Sequence, residues 1–261
     1  MSPAGDELLF AREPPLAYVT FNRPQARNAL TWAMYEALHA ACDAVDADPD
    51  LRVMILRGAG GRAFAAGTDI TQFQAFRTAA DGLAYERMLD GVIARVEAVR
   101  RPVIAAVAGV ATGGGASLAL ACDLRYCTPE SQFGIPIART LGNCLSSANH
   151  ALLVDLLGPA RTKELIFRAR LVGAEEARGI GLVNEVVPAG RLEDRVRAIA
   201  LEIASHAPIT LRVTKESLRR LARHRRAPDT DDLVGETYAS EDFREGVAAF
   251  LAKRLPVFKD R

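Results

Sequence analysis

Residues 103–122 read VIAAVAGVATGGGASLALAC, and this stretch decides the fold class. Its first six residues form an apolar run, which predicts a buried strand. The three glycines at 113–115 predict a tight turn after that strand, and the apolar segment from Ala116 to Cys122 predicts a short helix. The stretch therefore indicates a strand, a glycine turn and a helix in succession.

The same order occurs earlier in the chain. An apolar run at 53–56 predicts another buried strand, and a glycine-rich turn at 58–61 follows it. Apolar residues recur at helical spacing over 78–99, which predicts a helix. Before these, the β-rich segment 16–21 precedes a helix that Thr31 is able to cap. Strands that alternate with helices predict an α/β fold with right-handed crossovers.

The C-terminal part of the sequence is predicted to be helical throughout. The spacing of apolar residues predicts one helix that begins near Leu192 and further helices over 210–226 and 240–253. The 210–226 helix is basic, but its leucines predict a buried side, so we interpret its charges as a solvated face rather than a nucleic-acid surface. We therefore predict a mixed core over 1–190 and an all-helical region over 191–261 whose apolar faces need something to pack against; the resemblance described below implies that this region serves oligomerisation. The leucines concerned are Leu211, Leu218 and Leu221.

The composition is that of an ordinary globular protein. Apolar residues make up 49% and charged residues 25% of the 261 residues, which argues against a disordered or fibrous chain. The formal net charge is +1, so no global field favours nucleic acid or an anionic membrane. The four cysteines form no C-x-x-C pair and have no histidine at zinc-ligand spacing, which predicts free thiols and no metal site. The first 15 residues contain no apolar signal segment, and we expect a cytoplasmic protein without a membrane span.

The glycine turn at 113–115 has two interpretations. The N–H groups at the start of the following helix are unpaired and carry a partial positive charge, which suits a carbonyl oxygen that becomes an oxyanion. A tight turn without a ligand explains the same glycines. The segment matches neither G-x-G-x-x-G nor G-K-[ST], which argues against a dinucleotide or a nucleoside triphosphate.

Two glycine segments together are more specific than either alone. Residues 63–70 (AFAAGTDI) and 102–120 resemble the two oxyanion segments of the enoyl-CoA hydratase/isomerase family, the crotonase superfamily. Three more segments resemble that family's opening turn, a later helix-to-strand unit and its C-terminal helix; they are 21–30, 174–184 and 241–254. The resemblance covers about residues 8–260.

The resemblance implies a fold, an assembly and a ligand. The fold would be a crotonase-like spiral of ββα units followed by a helical trimerisation region, and many members pair two trimers into a hexamer. The ligand would be an acyl-CoA thioester, with coenzyme A as part of the substrate and no permanently bound cofactor. The N–H groups of Thr68 and Gly114 would form the oxyanion hole, while Phe250 and Lys253 would reach the CoA of a neighbouring subunit. The residues implied in binding are Ala26, Asn28, Ala29, Ala66, Thr68, Asp69, Ile70, Thr71, Gly114, Ser117, Ile137, Phe250 and Lys253.

The sequence departs from the family's hydratases at both glutamates that add water. Ser117 stands at the first position and Ile137 at the second, so hydration by two carboxylates is not expected. Asp69 is the acid nearest in sequence to the predicted oxyanion hole, and it serves either as a proton carrier or as a partner of its own loop backbone. Arg139 is able to hold a substrate carboxylate, or to form an ion pair with a local acid.

These residues leave three functions open. The leading interpretation is an acyl-CoA lyase or isomerase of the enoyl-CoA hydratase/isomerase type, which polarises a thioester carbonyl and stabilises an enolate. The second is a decarboxylase of malonyl-type thioesters, with Arg139 on the carboxylate. The third is a non-catalytic protein that binds acyl-CoA or RNA, and the near-zero net charge argues against RNA.

Overall fold

A computed structural model of the chain describes residues 6–225 and 230–259. The strands are β1 (Leu8–Glu13), β2 (Leu16–Phe21), β3 (Val53–Gly58), β4 (Ala63–Ala65), β5 (Val103–Val107), β6 (Val110–Thr112), β7 (Leu124–Cys127), β8 (Gln132–Gly134), β9 (Val172–Gly173) and β10 (Glu185–Val186). The helices are α1 (Trp32–Ala47), α2 (Ala79–Ala98), α3 (Gly114–Ala121), α4 (Ile137–Thr140), α5 (Ser147–Phe167), α6 (Ala174–Gly179), α7 (Leu192–Ser205), α8 (Pro208–Arg225), α9 (Asp231–Ala239) and α10 (Glu241–Leu251).

The strands form two sheets that the chain visits in turn. The larger sheet has the order β1-β2-β3-β5-β7-β10 and the smaller one the order β4-β6-β8-β9. Each repeat places one strand in the larger sheet and the next in the smaller sheet, as β3 and β4 do before α2 and as β5 and β6 do before α3. Neighbouring repeats pair in parallel in both sheets. The predicted spiral of ββα units is therefore confirmed.

The helix starts that position the site follow from local hydrogen bonding. The Thr31 hydroxyl accepts a bond of 3.2 Å from the Met34 N–H and caps α1 as predicted. The Asp81 carboxylate accepts a bond of 2.8 Å from the Thr78 N–H at the start of α2. Both helices bury their apolar stripes in the main hydrophobic core.

The C-terminal helices α7, α9 and α10 lie on the core of their own chain. Leu192, Val196 and Ile199 of α7 cover the outer face of the larger sheet, as their helical spacing predicts. Helix α9 lies against α2, while α10 lies against α4 and the short 3-10 helix Ile70–Ala75. The two predicted parts, 1–190 and 191–261, therefore share a packed core, and their division into separate units stays a prediction.

Helix α8 differs from the sequence-based expectation. Leu218 and Leu221 were expected to be buried, but they are 61% and 62% exposed in the single chain, so the cover that the sequence predicts does not come from this chain. Two basic side chains of this helix are largely covered instead: the Lys215 ammonium lies 2.6 Å from the Asp123 carboxylate, and the Arg219 guanidinium lies 2.6 Å from that of Glu216 on the same helix. The predicted final residue of this helix, position 226, lies outside the described residues.

The sequence analysis predicts neither β1 nor α9. Strand β1 pairs antiparallel with β2 at the edge of the larger sheet and buries only Leu8, so it carries no alternating pattern.

Among the helices of the described residues, none is long and apolar enough to cross a membrane.

The contact between α2 and α9 depends on a glycine. A Cβ atom on Gly82 would lie 2.1 Å from the Cγ atom of Tyr238, whereas a Cβ atom on Gly91 of the same helix would meet nothing within 4 Å. We expect Gly82→Ala to lower the free energy of unfolding by about 1–3 kcal/mol through overpacking. The matched control Gly91→Ala should raise it by up to about 1 kcal/mol through helix propensity. Urea denaturation of both variants measures the difference, and equal effects would contradict the prediction.

Candidate active site

The two glycine turns predicted from the sequence meet in the structure. Gly67 and Gly113 both adopt positive φ values, 100° and 52°, which side chains larger than hydrogen disfavour. A Cβ atom on Gly114 would lie 3.8 Å from the Thr68 nitrogen, and one on Gly67 would lie 3.9 Å from the Gly114 nitrogen. The two backbone segments are therefore in contact at the start of α3.

Both backbone N–H groups at this contact are available to a ligand. Within the described residues, the N–H groups of Thr68 and Gly114 donate no hydrogen bond. Gly114 is the first residue of α3, where N–H groups have no helical acceptor and the helix dipole is positive. Two adjacent free donors of this kind suit an oxygen atom that gains negative charge.

The contact lies on the wall of a cavity of about 500 Å³. Several of the residues implied in binding or catalysis line this cavity; they are Ala26, Ala29, Ala66, Thr68, Asp69, Ile70, Gly114, Ile137, Arg139 and Phe250. Four others implied by the resemblance are not on its wall; they are Asn28, Thr71, Ser117 and Lys253.

Asn28 holds the first turn together instead of facing the cavity. Its carboxamide is fully buried, donates 3.0 Å and 2.7 Å bonds to the carbonyls of Ala59 and Ala63, and accepts one of 2.9 Å from the Arg23 N–H. The adjacent backbone fixes the Thr68 segment, because the Leu30 N–H donates to the Gly67 carbonyl at 2.8 Å. Asn28 therefore acts on the site through the loop that it orders.

Two more of these residues have structural surroundings. The Ser117 side chain is buried in α3, and its N–H donates a 3.0 Å bond to the Gly113 carbonyl. The Thr71 hydroxyl donates to the Asp69 carboxylate at 2.7 Å. Sequence spacing places both residues near the glycine turns, but it carries no information on which way their side chains point.

The C-terminal helix reaches the cavity of its own chain. Phe250 lines the cavity and remains 50% exposed, while Lys253 is exposed beyond the end of α10 and off the cavity wall. The resemblance implied that both would reach the CoA of a neighbouring subunit. Within the single chain, α10 folds back onto residues 70–75, and contact of either residue with a neighbouring subunit's CoA stays a prediction.

Asp69 is committed to structural partners. Its carboxylate accepts bonds from the Thr71 N–H at 3.1 Å and the Arg23 guanidinium at 3.0 Å, and it begins the 3-10 helix that follows. Burial opposes its ionisation, but the hydrogen bonds from Thr71 and Arg23 outweigh that effect and lower the pKa of Asp69. A carboxylate with a lowered pKa is a weak base, so the structure favours the structural role over the proton carrier.

A pair of tyrosines that the sequence analysis missed surrounds Thr68. The Thr68 Oγ1 atom lies 2.8 Å from the Tyr35 hydroxyl and 2.8 Å from the Tyr85 hydroxyl. Burial raises the pKa of both phenols well above the ordinary value, so both stay neutral. These bonds hold the Thr68 side chain from α1 and α2 at once.

Glu86 is a buried acid on the cavity wall that the sequence analysis also missed. It is 3% exposed, accepts a 2.6 Å bond from the Tyr238 hydroxyl and accepts a 3.2 Å bond from the Ser146 N–H. A signal was present in the sequence, because Glu86 stands three residues before Leu89 on the apolar stripe of the predicted helix. A charged residue at such a position is unusual enough to mark a functional candidate.

The far wall of the cavity carries Ile137 and Arg139 on the short helix α4. Ile137 is 7% exposed and places an apolar side chain on the wall. Arg139 is exposed to the cavity, and within the described residues it forms no ion pair, so the expected local partner is not seen. Cys144 also lines the cavity, and burial raises the pKa of its thiol to about 11, which argues against a nucleophile.

Comparisons with known proteins identify the family of this chain. A model of the enoyl-CoA hydratase/isomerase family matches residues 12–261. The short-chain-enoyl-CoA hydratase of Clostridium acetobutylicum is 33% identical over 264 residues, covering 98% of this chain and 99% of that protein. A solved enoyl-CoA hydratase/carnithine racemase from Magnetospirillum magneticum is 36% identical with a TM-score of 0.81, covering 98% of this chain and 96% of the other. A solved methylmalonyl-CoA decarboxylase in complex with 2-nitronate-propionyl-CoA is 29% identical with a TM-score of 0.89, covering 98% and 99%.

The chain therefore belongs to the enoyl-CoA hydratase/isomerase family. It is an enzyme of the lyase/isomerase type that acts on acyl-CoA thioesters, as the leading interpretation of the sequence predicted.

The partners of Asp69 generate a prediction. We expect Asp69→Asn to retain turnover, without the loss of about 10²–10⁴-fold that follows removal of a general base. The variant should be less stable at pH 7 by up to about 1 kcal/mol, because the pairing with Arg23 is partly screened by solvent. The folded-state pKa lies below the unfolded value of about 3.9, so this difference should be present above pH 4 and vanish as the pH falls further. Urea denaturation at several pH values, with turnover measured beside it, tests both statements.

Proposed function

We propose that the N–H groups of Thr68 and Gly114 bind the thioester carbonyl oxygen of an acyl-CoA and stabilise its enolate. The single observation that carries this proposal is the contact of two backbone segments with free donors on the cavity wall. Polarising the carbonyl acidifies the α-carbon, and each donor that is lost typically lowers the rate by about 10²–10³-fold.

The CoA moiety has a candidate position at the first turn. Ala26 and Ala29 line the cavity there, and Arg27 stands between them, exposed and at the cavity edge. Arg23 is less available to a phosphate, because its guanidinium binds Asp69 at 3.0 Å and Glu7 at 3.1 Å. We therefore assign Arg27 as the phosphate contact of this loop.

The reaction is proposed to proceed by proton transfer at carbon rather than by addition of water. Ser117 is buried away from the cavity and Ile137 forms part of its apolar wall, so neither supplies the carboxylate that water activation needs. An enolate held by two N–H groups is the shared intermediate of double-bond isomerisation and related steps. Isomerisation of an enoyl-CoA is the activity that the geometry supports best.

We further propose that the enzyme is a homotrimer, or a dimer of trimers, in the cytoplasm. Helix α8 exposes apolar side chains that a neighbouring copy would cover; they are Ile209, Val213, Leu218 and Leu221. The cysteines of the described chain are free thiols, which suits a reducing compartment.

Removing one N–H donor tests the oxyanion proposal. Any Cβ atom at position 114 would lie 2.7 Å from the Tyr35 hydroxyl, so both variants carry Tyr35→Phe to make room. In that background Gly114→Ala keeps the N–H, while Gly114→Pro removes it at a helix position that tolerates proline. We expect the carbonyl stretch of bound ¹³C-labelled butyryl-CoA to shift to lower frequency in both variants, and by less in the proline variant, which retains only the Thr68 donor. Infrared difference spectroscopy measures this shift, and kcat/KM should fall by about 10²–10³-fold between the two.

Equal carbonyl shifts in the two double variants would overturn the assignment of Gly114. No shift in the wild-type protein would overturn the proposed function altogether.

Decarboxylation is a second candidate, and one observation favours it. Arg139 lines the cavity, is exposed, and has no ion-pair partner among the described residues. Loss of CO₂ from a malonyl-type thioester yields the same enolate without a protein base. The fold of the methylmalonyl-CoA decarboxylase superposes with a TM-score of 0.89, so the scaffold is compatible with this reaction.

Arg139→Gln distinguishes the two candidates. We expect the substitution to weaken binding of methylmalonyl-CoA by about 10–100-fold, because a hydrogen bond between charged groups contributes about 1.5–3 kcal/mol. Binding of butyryl-CoA, which lacks the carboxylate, should change by less than about twofold. Calorimetric titration of both ligands measures the contrast. Methylmalonyl-CoA that binds but stays intact with the wild-type enzyme would eliminate decarboxylation.

A further inference from the structure

We propose that Glu86 is the proton carrier of this enzyme: its carboxylate takes a proton from one carbon of the acyl group and returns it to another. The inference rests on the proposed enolate function and names the residue that completes it. It replaces the missing carboxylates at positions 117 and 137 with one supplied by helix α2.

The placement of Glu86 follows from one turn of α2. Tyr85 and Glu86 are consecutive and both line the cavity. Tyr85 binds the Thr68 hydroxyl at 2.8 Å, next to the proposed oxyanion hole, while Glu86 binds the Ser146 N–H at the start of α5. One side of the cavity therefore holds the carbonyl, and the adjacent side holds an acid.

Among the residues that the structure describes, the titratable groups that face Glu86 include no cation. They are Tyr238 from α9, Tyr35 from α1, Cys144 from the loop before α5, and Tyr85 and Asp90 from its own helix. Burial raises the pKa of Glu86 to about 7, the Asp90 charge adds to this, and the bonds from Tyr238 and Ser146 oppose it. An acid with such a pKa both accepts and returns a proton near neutral pH.

The other acids and bases of the region fit this role less well. Asp69 has a lowered pKa and a salt bridge to Arg23. Asp90 binds the Ser146 hydroxyl at 2.6 Å and lies off the cavity wall, as does His150. Glu86 is thus the acid on the wall that is held without an opposing charge.

The proposed step balances without a co-reactant. The Glu86 carboxylate removes a proton from the α-carbon of a β,γ-enoyl thioester, and the electrons of the broken C–H bond pass to the carbonyl oxygen. That oxygen becomes the dienolate oxygen between the N–H groups of Thr68 and Gly114. The protonated Glu86 then returns the proton to the γ-carbon, while the electrons re-form the carbonyl and an α,β double bond.

The hydrogen bonds around Glu86 tolerate a glutamine. The Asn143 amide donates to the Tyr238 hydroxyl at 3.3 Å, and that hydroxyl donates to Glu86. The Oδ1 atom of Asn143 is buried and has no partner among the described residues, so a flip of this amide would place an acceptor against the Tyr238 hydroxyl, which then donates to it. A glutamine at position 86 then donates to Tyr238 and accepts from Ser146, which makes Glu86→Gln a conservative test.

The experiment compares wild type, Glu86→Gln and Asp90→Asn, which removes a carboxylate one turn further along α2. Conversion of 3-butenoyl-CoA to crotonyl-CoA reports the full proton transfer, and exchange of the α-protons of butyryl-CoA in D₂O reports enolate formation alone. We expect Glu86→Gln to lower kcat for both reactions by at least about 100-fold, with KM within about threefold.

Stability and pH dependence separate a catalytic from a structural role. The pKa of Glu86 is higher in the folded than in the unfolded protein, so its ionisation lowers the free energy of unfolding as the pH rises above the unfolded-state pKa. At pH 8 we therefore expect Glu86→Gln to unfold at the same urea concentration as the wild type, or at a higher one. The kcat/KM of the wild type should rise with pH along a limb near pH 7. Asp90→Asn should move that limb to lower pH, because it removes a negative charge that raises the pKa of Glu86.

Two results would overturn the inference. If Glu86→Gln keeps both activities within tenfold, another group carries the proton, while the carbonyl shift of bound butyryl-CoA still stands as the test of the oxyanion hole. If the wild type shows that carbonyl shift but neither exchanges nor isomerises, Glu86 is not a proton carrier.

Discussion

The contact between the backbone turns at Gly67–Thr68 and Gly113–Gly114 is the constraint on which the site depends. It brings two free N–H groups together only because both turns lack side chains at the point of approach. The spiral of ββα units serves this contact, since β4 and β6 pair in parallel and deliver the two turns to one edge of the smaller sheet. Asn28, Tyr35 and Tyr85 then hold the first turn in place through hydrogen bonds to Ala63 and Thr68. Backbone donors leave the side chains around the acyl group free to vary, which allows one fold to host several reactions.

The main chain and the side chains contribute different charges to the cavity. The main chain supplies partial positive charge at the start of α3, where the carbonyl is proposed to bind. The side chains supply one buried acid, Glu86, whose surroundings include tyrosines and Asp90 rather than a cation. Keeping such an acid costs stability at neutral pH, because burial disfavours its charged form. A cost of this kind is tolerated where a proton must be exchanged, and the structural pair of Asp69 with Arg23 shows the opposite arrangement in the same cavity.

Sequence patterns predict much of this fold because its repeats are local. Each predicted feature is shorter than one repeat and can therefore be recognised from its local pattern. These features are the apolar runs of β3 and β5, the glycine turns that follow them and the apolar stripe of α2. Strand β1 is not predicted because it lies at the edge of the larger sheet and buries only Leu8, so its sequence shows no alternation of apolar and polar residues. The exposure of Leu218 and Leu221 has a related cause. An apolar stripe predicts that these side chains are covered, but it does not indicate whether the covering residues belong to the same chain.

Local sequence patterns identified the family and its acyl-CoA thioesters and predicted the two backbone donors, because these rest on glycines whose geometry is local. Tertiary packing alone sets which side chains line the cavity. Glu86 is joined to Ser146 across 60 positions and to Tyr238 across 152, and no local pattern encodes such contacts. The same holds for Asn28 and Ser117, which stand at the expected positions but turn into the protein. A backbone donor is placed by its own turn, whereas a side chain is placed by everything that packs around it.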